Sequence, residues 1–188
     1  ATDTTPSVAE GSTAAETDIA ITDTDTGDVN ACTLAGADKD VFTCTVSATV
    51  YTLAFTNAED YDVPDDANDD NDYLVTVTIA DGVNTGATIS YTVSVTDTND
   101  QTPTYSSSDT TPNVDEGDTA VETVAITDTD TGDVNVCTLA GNDAALFTCT
   151  ISATQYVLAF TAAEDYDVPD DADDDNDYLV TVTIADGV

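Results

Sequence analysis

The chain has 188 residues, of which 39 are Asp or Glu, with a single Lys or Arg and no His, giving a formal net charge of −38. A lone lysine, Lys39, cannot replace the counterions of nucleic acid or of an anionic membrane surface, and catalysis that needs His or an Arg clamp is excluded. Hydrophobic residues reach 40%, too many for a disordered acidic tail, while no apolar run approaches the ~18–20 residues of a membrane span, so no membrane insertion is expected in this segment.

The predicted elements are strands. Weak ones fall at 17–21, 29–34 and 41–46. Tyr51, Leu53 and Phe55 then alternate with smaller residues, as do Tyr73, Val75, Val77 and Ile79, and again Ile89, Tyr91, Val93 and Val95. A period of two puts one face in a core and the other in water. The outward positions are mostly Thr, which suits an exposed pleated surface. Gly, Asp-Gly, Asn and Pro punctuate the runs, and no helical period stands out. About seven short strands in about 105 residues predict an all-β, antiparallel Greek-key sandwich.

An internal repeat predicts two such sandwiches in tandem, at 1–105 and 106–188. Thr4-Thr5-Pro6 returns as Thr110-Thr111-Pro112, a spacing of 106. After Asp18, which has no counterpart, the spacing is 105 to the end. Residues 4–83 against 110–188 differ at 15 of 79 aligned positions. That period is far longer than the ~20–50 residues of solenoid units, so each repeat has its own core. No signal peptide stands at Ala1, so the chain reads as mature or as a fragment. The second repeat stops at Val188, the counterpart of Val83, and lacks the equivalent of 84–105. It reads as a window on a longer array. The alternative is a subunit that borrows its last strand from a neighbour.

Each repeat carries one cysteine pair, Cys32 with Cys44 and Cys137 with Cys149. Parity places Cys32 with Leu34 and Cys44 with Phe42, facing inward from neighbouring strands. Two thiols without His or further Cys make poor zinc ligation. The expected state is two intradomain disulfides and hence an oxidising, extracellular compartment; free buried thiols are the alternative.

Acidic residues cluster where strands end. Asp23-Thr24-Asp25-Thr26-Gly27 is copied as Asp128-Thr129-Asp130-Thr131-Gly132. Glu59-Asp60-Tyr61-Asp62 is copied as Glu164-Asp165-Tyr166-Asp167. Asp81-Gly82 and Asp186-Gly187 close a strand, and Asp97-Thr98-Asn99-Asp100 closes the first repeat. Folding gathers these positions at the poles of each sandwich.

With Glu10 of Val8-Ala9-Glu10-Gly11 and with Pro103 and Tyr105 beyond the linker, these motifs resemble, in order, the cadherin repeat. The resemblance covers all of the first repeat and most of the second. It implies calcium at the junctions between successive domains, stiffening the string. Carried over by position, one junction uses Glu10, Asp60, Asp62, Asp97, Asn99 and Asp100 with Asp128, Asp130 and Asp186. Asp23, Asp25 and Asp81 form a half-site at one end, and Glu116, Asp165 and Asp167 form one at the other. Asp62 stands where that family usually has Glu, Gln101 replaces an expected Asn, and the family's strand-swap Trp has no counterpart because the chain has no Trp.

The electrostatics point the same way. Two carboxylates ~4 Å apart repel by about 4 kcal/mol at an effective dielectric of 20. Several gathered together call for a hard divalent cation with six to eight oxygen ligands, and calcium suits a His-free, thiol-free cage better than zinc, copper or magnesium. The Asp-rich stretches 64–72 and 169–177 lack the Gly and distal Glu of an EF-hand loop. They read either as additional ion sites or as hydrated acidic loops.

The expected function is a calcium-rigidified structural or adhesive segment of a long extracellular, cell-surface protein, assembling into a fibre or filament. Its partners are neighbouring repeats or copies of the same protein, and other surface proteins or glycans. The alternative is an extracellular carbohydrate- or protein-binding module, which calls for exposed aromatic residues. A hydrolase with paired carboxylates needs one asymmetric cleft, whereas every acidic motif here is duplicated or sits in the linker, so no enzyme is expected.

Overall fold

In the computed structural model, which describes residues 2–24, 29–47, 49–106, 108–130, 132, 134–152 and 154–187, the alternating segments are strands with one face inward. They belong to two compact units, Ala1–Thr98 and Asn99–Val188. Among the described residues no helix is long and apolar enough to cross a membrane.

The first unit contains β1 (Ser7–Ala9), β2 (Ala14–Ala20), β3 (Ala31–Ala35), β4 (Phe42–Ser47), β5 (Val50–Phe55), β6 (Asp72–Ala80) and β7 (Thr85–Thr96). One sheet has the order β1-β7-β6-β3 and the other β2-β5-β4. Pairing is antiparallel except for β1, which runs parallel to β7 with Val8 opposite Val95. That short strand is absent from the sequence pattern, since three residues are too few to show a period. The predicted parities hold. Tyr51, Leu53, Phe55, Tyr73, Val75, Val77, Tyr91, Val93 and Val95 are all buried. Each large side chain so buried contributes about 1.5–3 kcal/mol. Phe42 stacks on Phe55 at 4.5 Å, Tyr73 stands edge-on to both, and the Tyr51 and Tyr91 hydroxyls hydrogen-bond at 2.6 Å. The buried phenols thus satisfy each other.

Asp18, the residue without a counterpart, is a bulge. Glu16 pairs with Leu53 and Ile19 with Tyr51, so β2 carries one residue more than β5 over this stretch. Asp18 takes a left-handed φ of 56°. An extra residue in one strand forces such a local kink.

Both predicted disulfides are present. Cys32 on β3 bonds Cys44 on β4, joining the two sheets, and Cys137 bonds Cys149 likewise.

The second unit contains β8 (Thr104–Tyr105), β9 (Ala120–Thr127), β10 (Val134–Ala140), β11 (Phe147–Ser152), β12 (Gln155–Phe160) and β13 (Thr181–Gly187). Its sheets are β11-β12-β9-β8 and β10-β13. Among the described residues, β1 has no counterpart in it, since residues 113–115 form no strand. In the first unit Asp72, Tyr73, Leu74 and Val75 find their ladder partners on β7, and β3 pairs with β6 only from Thr76 onward. The identical residues Asp177, Tyr178, Leu179 and Val180 lie outside any strand.

Candidate metal sites at the poles of each unit

Asp128 and Asp130 follow β9, where the chain leaves the sheet. Asn135 on β10 pairs directly with Asp186 on β13. The Asn135 side-chain amide donates to Asp128 Oδ2 at 2.8 Å, and the Gln101 backbone N–H donates to Asp130 Oδ2 at 2.9 Å. The other oxygens, Asp128 Oδ1, Asp130 Oδ1 and Asn135 Oδ1, are buried with no hydrogen-bond partner among the described residues. Asp130 is only 8% exposed. Unpaired buried acceptors are rare and costly. A donor set of oxygens alone, carrying negative charge and turned away from solvent, fits a hard cation such as calcium. Of the linker residues, Asn99 and Asp100 are exposed, and Gln101 Nε2 donates to Asp100 Oδ1 at 2.7 Å.

The corresponding pole of the first unit repeats the pattern. Asn30 Nδ2 donates to Asp23 Oδ2 at 3.1 Å. Asp81 Oδ1 accepts the Asn84 and Val83 N–H groups, which hold its carboxyl below the usual range. Asp23, Asn30, Asp81 and Asn84 line a cavity of about 330 Å³. Asp25 lies outside the described residues.

At the opposite pole, Glu10 Oε2 accepts the Tyr61 N–H at 2.8 Å and Oε1 the Thr98 N–H at 2.5 Å, tying β1, the 60–62 turn and the exit of β7 together. Asp60 Oδ1 accepts the Asp62 N–H at 3.0 Å, and a carboxylate oxygen of Asp62 lies within 4.8 Å of one of Asp97. Glu10, Asp60, Asp62 and Asp97 are therefore brought together. In the second unit, Asp165 Oδ1 accepts the Asp167 N–H at 3.0 Å, but Glu116, Asp165 and Asp167 are all exposed.

No family model and no curated relative matches the chain. Solved structures do. Drosophila N-cadherin EC1–4 superimposes with a TM-score of 0.65 at 19% identity, covering 97% of this chain and 45% of that one. Protocadherin Gamma B2 extracellular cadherin domains 3–6 give 0.62 at 18%, covering 97% and 41%. The protocadherin gammaB7 EC3–6 cis-dimer structure gives 0.60 at 18%, covering 98% and 46%. The fold is cadherin-like. The chain spans less than half the length of these structures.

Within this cadherin-like frame, sequence reasoning passed over Asn30 and Asn135. The available signal was parity, because Asn135 shares its face with Cys137 and Leu139 and is thus a polar residue on the core side. It also passed over buried acids that organise the Asp-rich loops. Asp38 Oδ1 accepts the Ala67 N–H at 2.7 Å and Oδ2 the Leu74 N–H at 2.6 Å. Asp66 accepts N–H groups of Asn68, Asp70 and Asn71. Burial opposes ionisation of Asp66, but these donors outweigh it and hold the carboxyl below its ordinary range. Asp143 and Asp171 repeat both arrangements. Each loop is thus wound around inward-facing carboxylates. Asp171, Asp173 and Asp175 each offer one oxygen within 4.8 Å of the others, and the charge of Asp175 pushes the Asp173 carboxyl up.

Glu59 is also buried. Burial, then a hydrogen bond and charge repulsion from Asp65, push its carboxyl up to about 7, partly offset by the Tyr73 hydroxyl, which donates to it at 3.4 Å. Glu164 is raised for the same reasons, with Asp170 as its neighbour.

Proposed function

We propose that the chain is a calcium-binding structural and adhesive segment of an extracellular, cell-surface protein, made of two cadherin-like repeats, 1–105 with its linker and 106–188. The observation that carries this reading is the set of buried, donor-less oxygens on Asp128, Asp130 and Asn135, at the pole where the resemblance expects calcium. Asn99, Asp100 and Asp186 belong to the same unit as these residues. Glu10, Asp60, Asp62 and Asp97 form the acidic pole of the other. In this reading, calcium neutralises charge that otherwise repels and thereby stiffens the linker. The half-sites at Asp23, Asp25 and Asp81 and at Glu116, Asp165 and Asp167 extend the scheme to further repeats in a fibre. The disulfides fit an oxidising compartment. Partners are further copies of the same protein, and no catalytic role is assigned.

Calorimetric titration with calcium, paired with thermal melting and small-angle scattering in calcium and in chelator, tests this. Saturable binding, a higher midpoint and a longer, narrower particle in calcium are expected. Heats indistinguishable from dilution, with unchanged melting and scattering, would sink it. The carbohydrate-binding alternative gains one observation: Tyr105 and Tyr166 are 50% and 68% exposed. A glycan array read in calcium separates the two.

A further inference from the structure

The two longest uncharged runs of this acidic chain are residues 41–58 and 144–163, 18 and 20 residues long. They hold the hairpins β4–β5 and β11–β12, and in each the first strand is a free edge of its sheet among the described residues. Edge strands are ordinarily guarded against pairing with another chain by charge, proline or a bulge. At the other edge of the same sheet in the first unit, β2 carries Glu16, Asp18 and the bulge. Strands β4 and β11 read FTCTVS and FTCTIS, carry no charge or proline, and pair with β5 and β12 without a register shift. Around β3 and β10, edges of the facing sheets, the uncharged runs 29–37 and 134–142 are only about half as long. Hydrogen bonds fix which peptide groups face outward. The Phe55 N–H donates to the Thr13 carbonyl at 2.8 Å, beside β2, and the Thr56 N–H donates to the Val41 carbonyl at 2.7 Å, beside β4. Antiparallel residues alternate, so Thr43, Thr45 and Ser47 bond to β5, while Phe42, Cys44 and Val46 turn their peptide groups to the free edge. The bonds from Phe160 to Thr119 and from Thr161 to Leu146 set the same phase for Phe147, Cys149 and Ile151.

We infer that this edge is where one copy of the chain pairs with another. Two such strands run antiparallel about a two-fold axis and extend one sheet into the next. Cys44 stands opposite Cys44 of the second copy, and the two exchange both main-chain bonds. The Val46 N–H donates to the carbonyl of Phe42 of the second copy, whose own N–H is already held by Lys39 within its turn. Thr45 then faces Thr43 of the second copy across the seam, on the exposed side of the sheet. Strand β11 offers the same groups and differs from β4 only in Ile151 for Val46, so the two edges are interchangeable. Charge selects a second copy as the occupant. A basic partner finds no counter-charge here and is drawn to the acidic poles and loops instead. A second copy brings a strand as uncharged as the one it meets, so chains of net charge −38 align along it without carboxylates face to face. The repulsion that remains comes from acids beyond the seam, and salt screens it, so association strengthens as salt rises. This inference rests on the proposed function only in taking copies of the chain as partners, and it names the surface where they meet.

The test is sedimentation equilibrium of the intact chain from about 10 µM to about 1 mM, with calcium present, at ~0.15 M and ~1 M sodium chloride, where the screening length falls from ~8 to ~3 Å. Reversible self-association, tighter at the higher salt, is expected. Amide exchange at Cys44, Val46, Cys149 and Ile151 should slow as the protein is concentrated, while Thr43 and Thr45, already bonded to β5, stay as they are. Two variants probe the seam at exposed positions. One replaces Thr43, Thr45, Thr148 and Thr150 with Glu, the other replaces the same four with Lys. Each should self-associate at least about tenfold more weakly than the parent, because like charges then face each other, and an equimolar mixture of the two should recover the loss. The Lys variant is decisive against a simple effect of net charge, since it is less acidic than the parent and should still associate less. A parent that stays monomeric at both salts overturns the inference. So do variants that associate as the parent does, and in that case copies meet elsewhere and only this edge is withdrawn. Calcium binding at the poles is read separately by the titration above.

Discussion

Asn135 donates its amide to Asp128 Oδ2 at 2.8 Å while its own oxygen and Asp128 Oδ1 stay buried without a donor. One hydrogen bond therefore orients two acceptors, and Asp130 adds a third. A site arranged in this way is costly without a cation and favourable with one.

This gives a paired expectation for Asp130→Asn. Removing the charge should lower calcium affinity by about tenfold or more, which is ~1.4 kcal/mol. In chelator the same change should leave stability equal or higher, because an under-satisfied buried carboxylate has been neutralised. Calcium titration and melting of the two proteins read both effects. A substitution that lowers stability equally with and without calcium would mean that Asp130 serves packing alone.

A second expectation concerns pH. The Glu59 carboxyl is held up to about 7, well above its unfolded value, and Glu164 is shifted in the same direction. A raised carboxyl binds its proton more tightly in the folded state. Its stabilising contribution is complete below the unfolded value and disappears as pH rises through about 7. In chelator, the thermal midpoint of the first unit should fall between pH 5 and pH 8. Glu59→Gln should flatten that fall. A midpoint that climbs across this range in the wild-type chain contradicts the assignment.

Asp38 offers a third. Its two oxygens hold the N–H groups of Ala67 and Leu74 at both ends of the Asp-rich loop. Asp38→Ala removes the acceptor of two part-buried hydrogen bonds and should cost about 1–2 kcal/mol. Asp38→Asn, which keeps one acceptor, should cost less. Chemical denaturation ranks the two, and amide exchange at Ala67 and Leu74 should accelerate in Asp38→Ala.

The fourth tests the bulge. Deleting Asp18 makes β2 match β9, which runs beside β12 with Glu122 opposite Leu158 and Val124 opposite Tyr156. The first unit should accept this with a change below about 1 kcal/mol, because the register on either side is preserved. A loss of several kcal/mol would show that the kink is needed for the core.

Much of the architecture was legible because half-buried strands advertise themselves. Tyr73, Val75 and Val77 could be assigned inward from alternation alone, and the cysteine parity led to the observed bridges. The residues that escaped notice owe their roles to distant partners. Asp38 sits among small and charged neighbours and looks like an ordinary surface acid, yet its acceptor role is set by an N–H 36 positions away. Strand β1 is too short to show a period, and it forms along the edge that β7 offers. Asn135 acquires meaning only once the register places it beside Asp186. The strand endings Asp128, Asp130 and Asp186 were readable from the duplicated motif.

The bridge between Cys32 and Cys44 spans 12 positions and staples one sheet to the other. Under tension along the chain, that segment cannot be drawn out until the sulfurs are reduced. Each stretched unit should thus release about 40 Å less contour than its residue count allows, at up to ~3.3–3.6 Å per residue. A tethered string of such units would lengthen in short steps when oxidised and in longer ones after reductant.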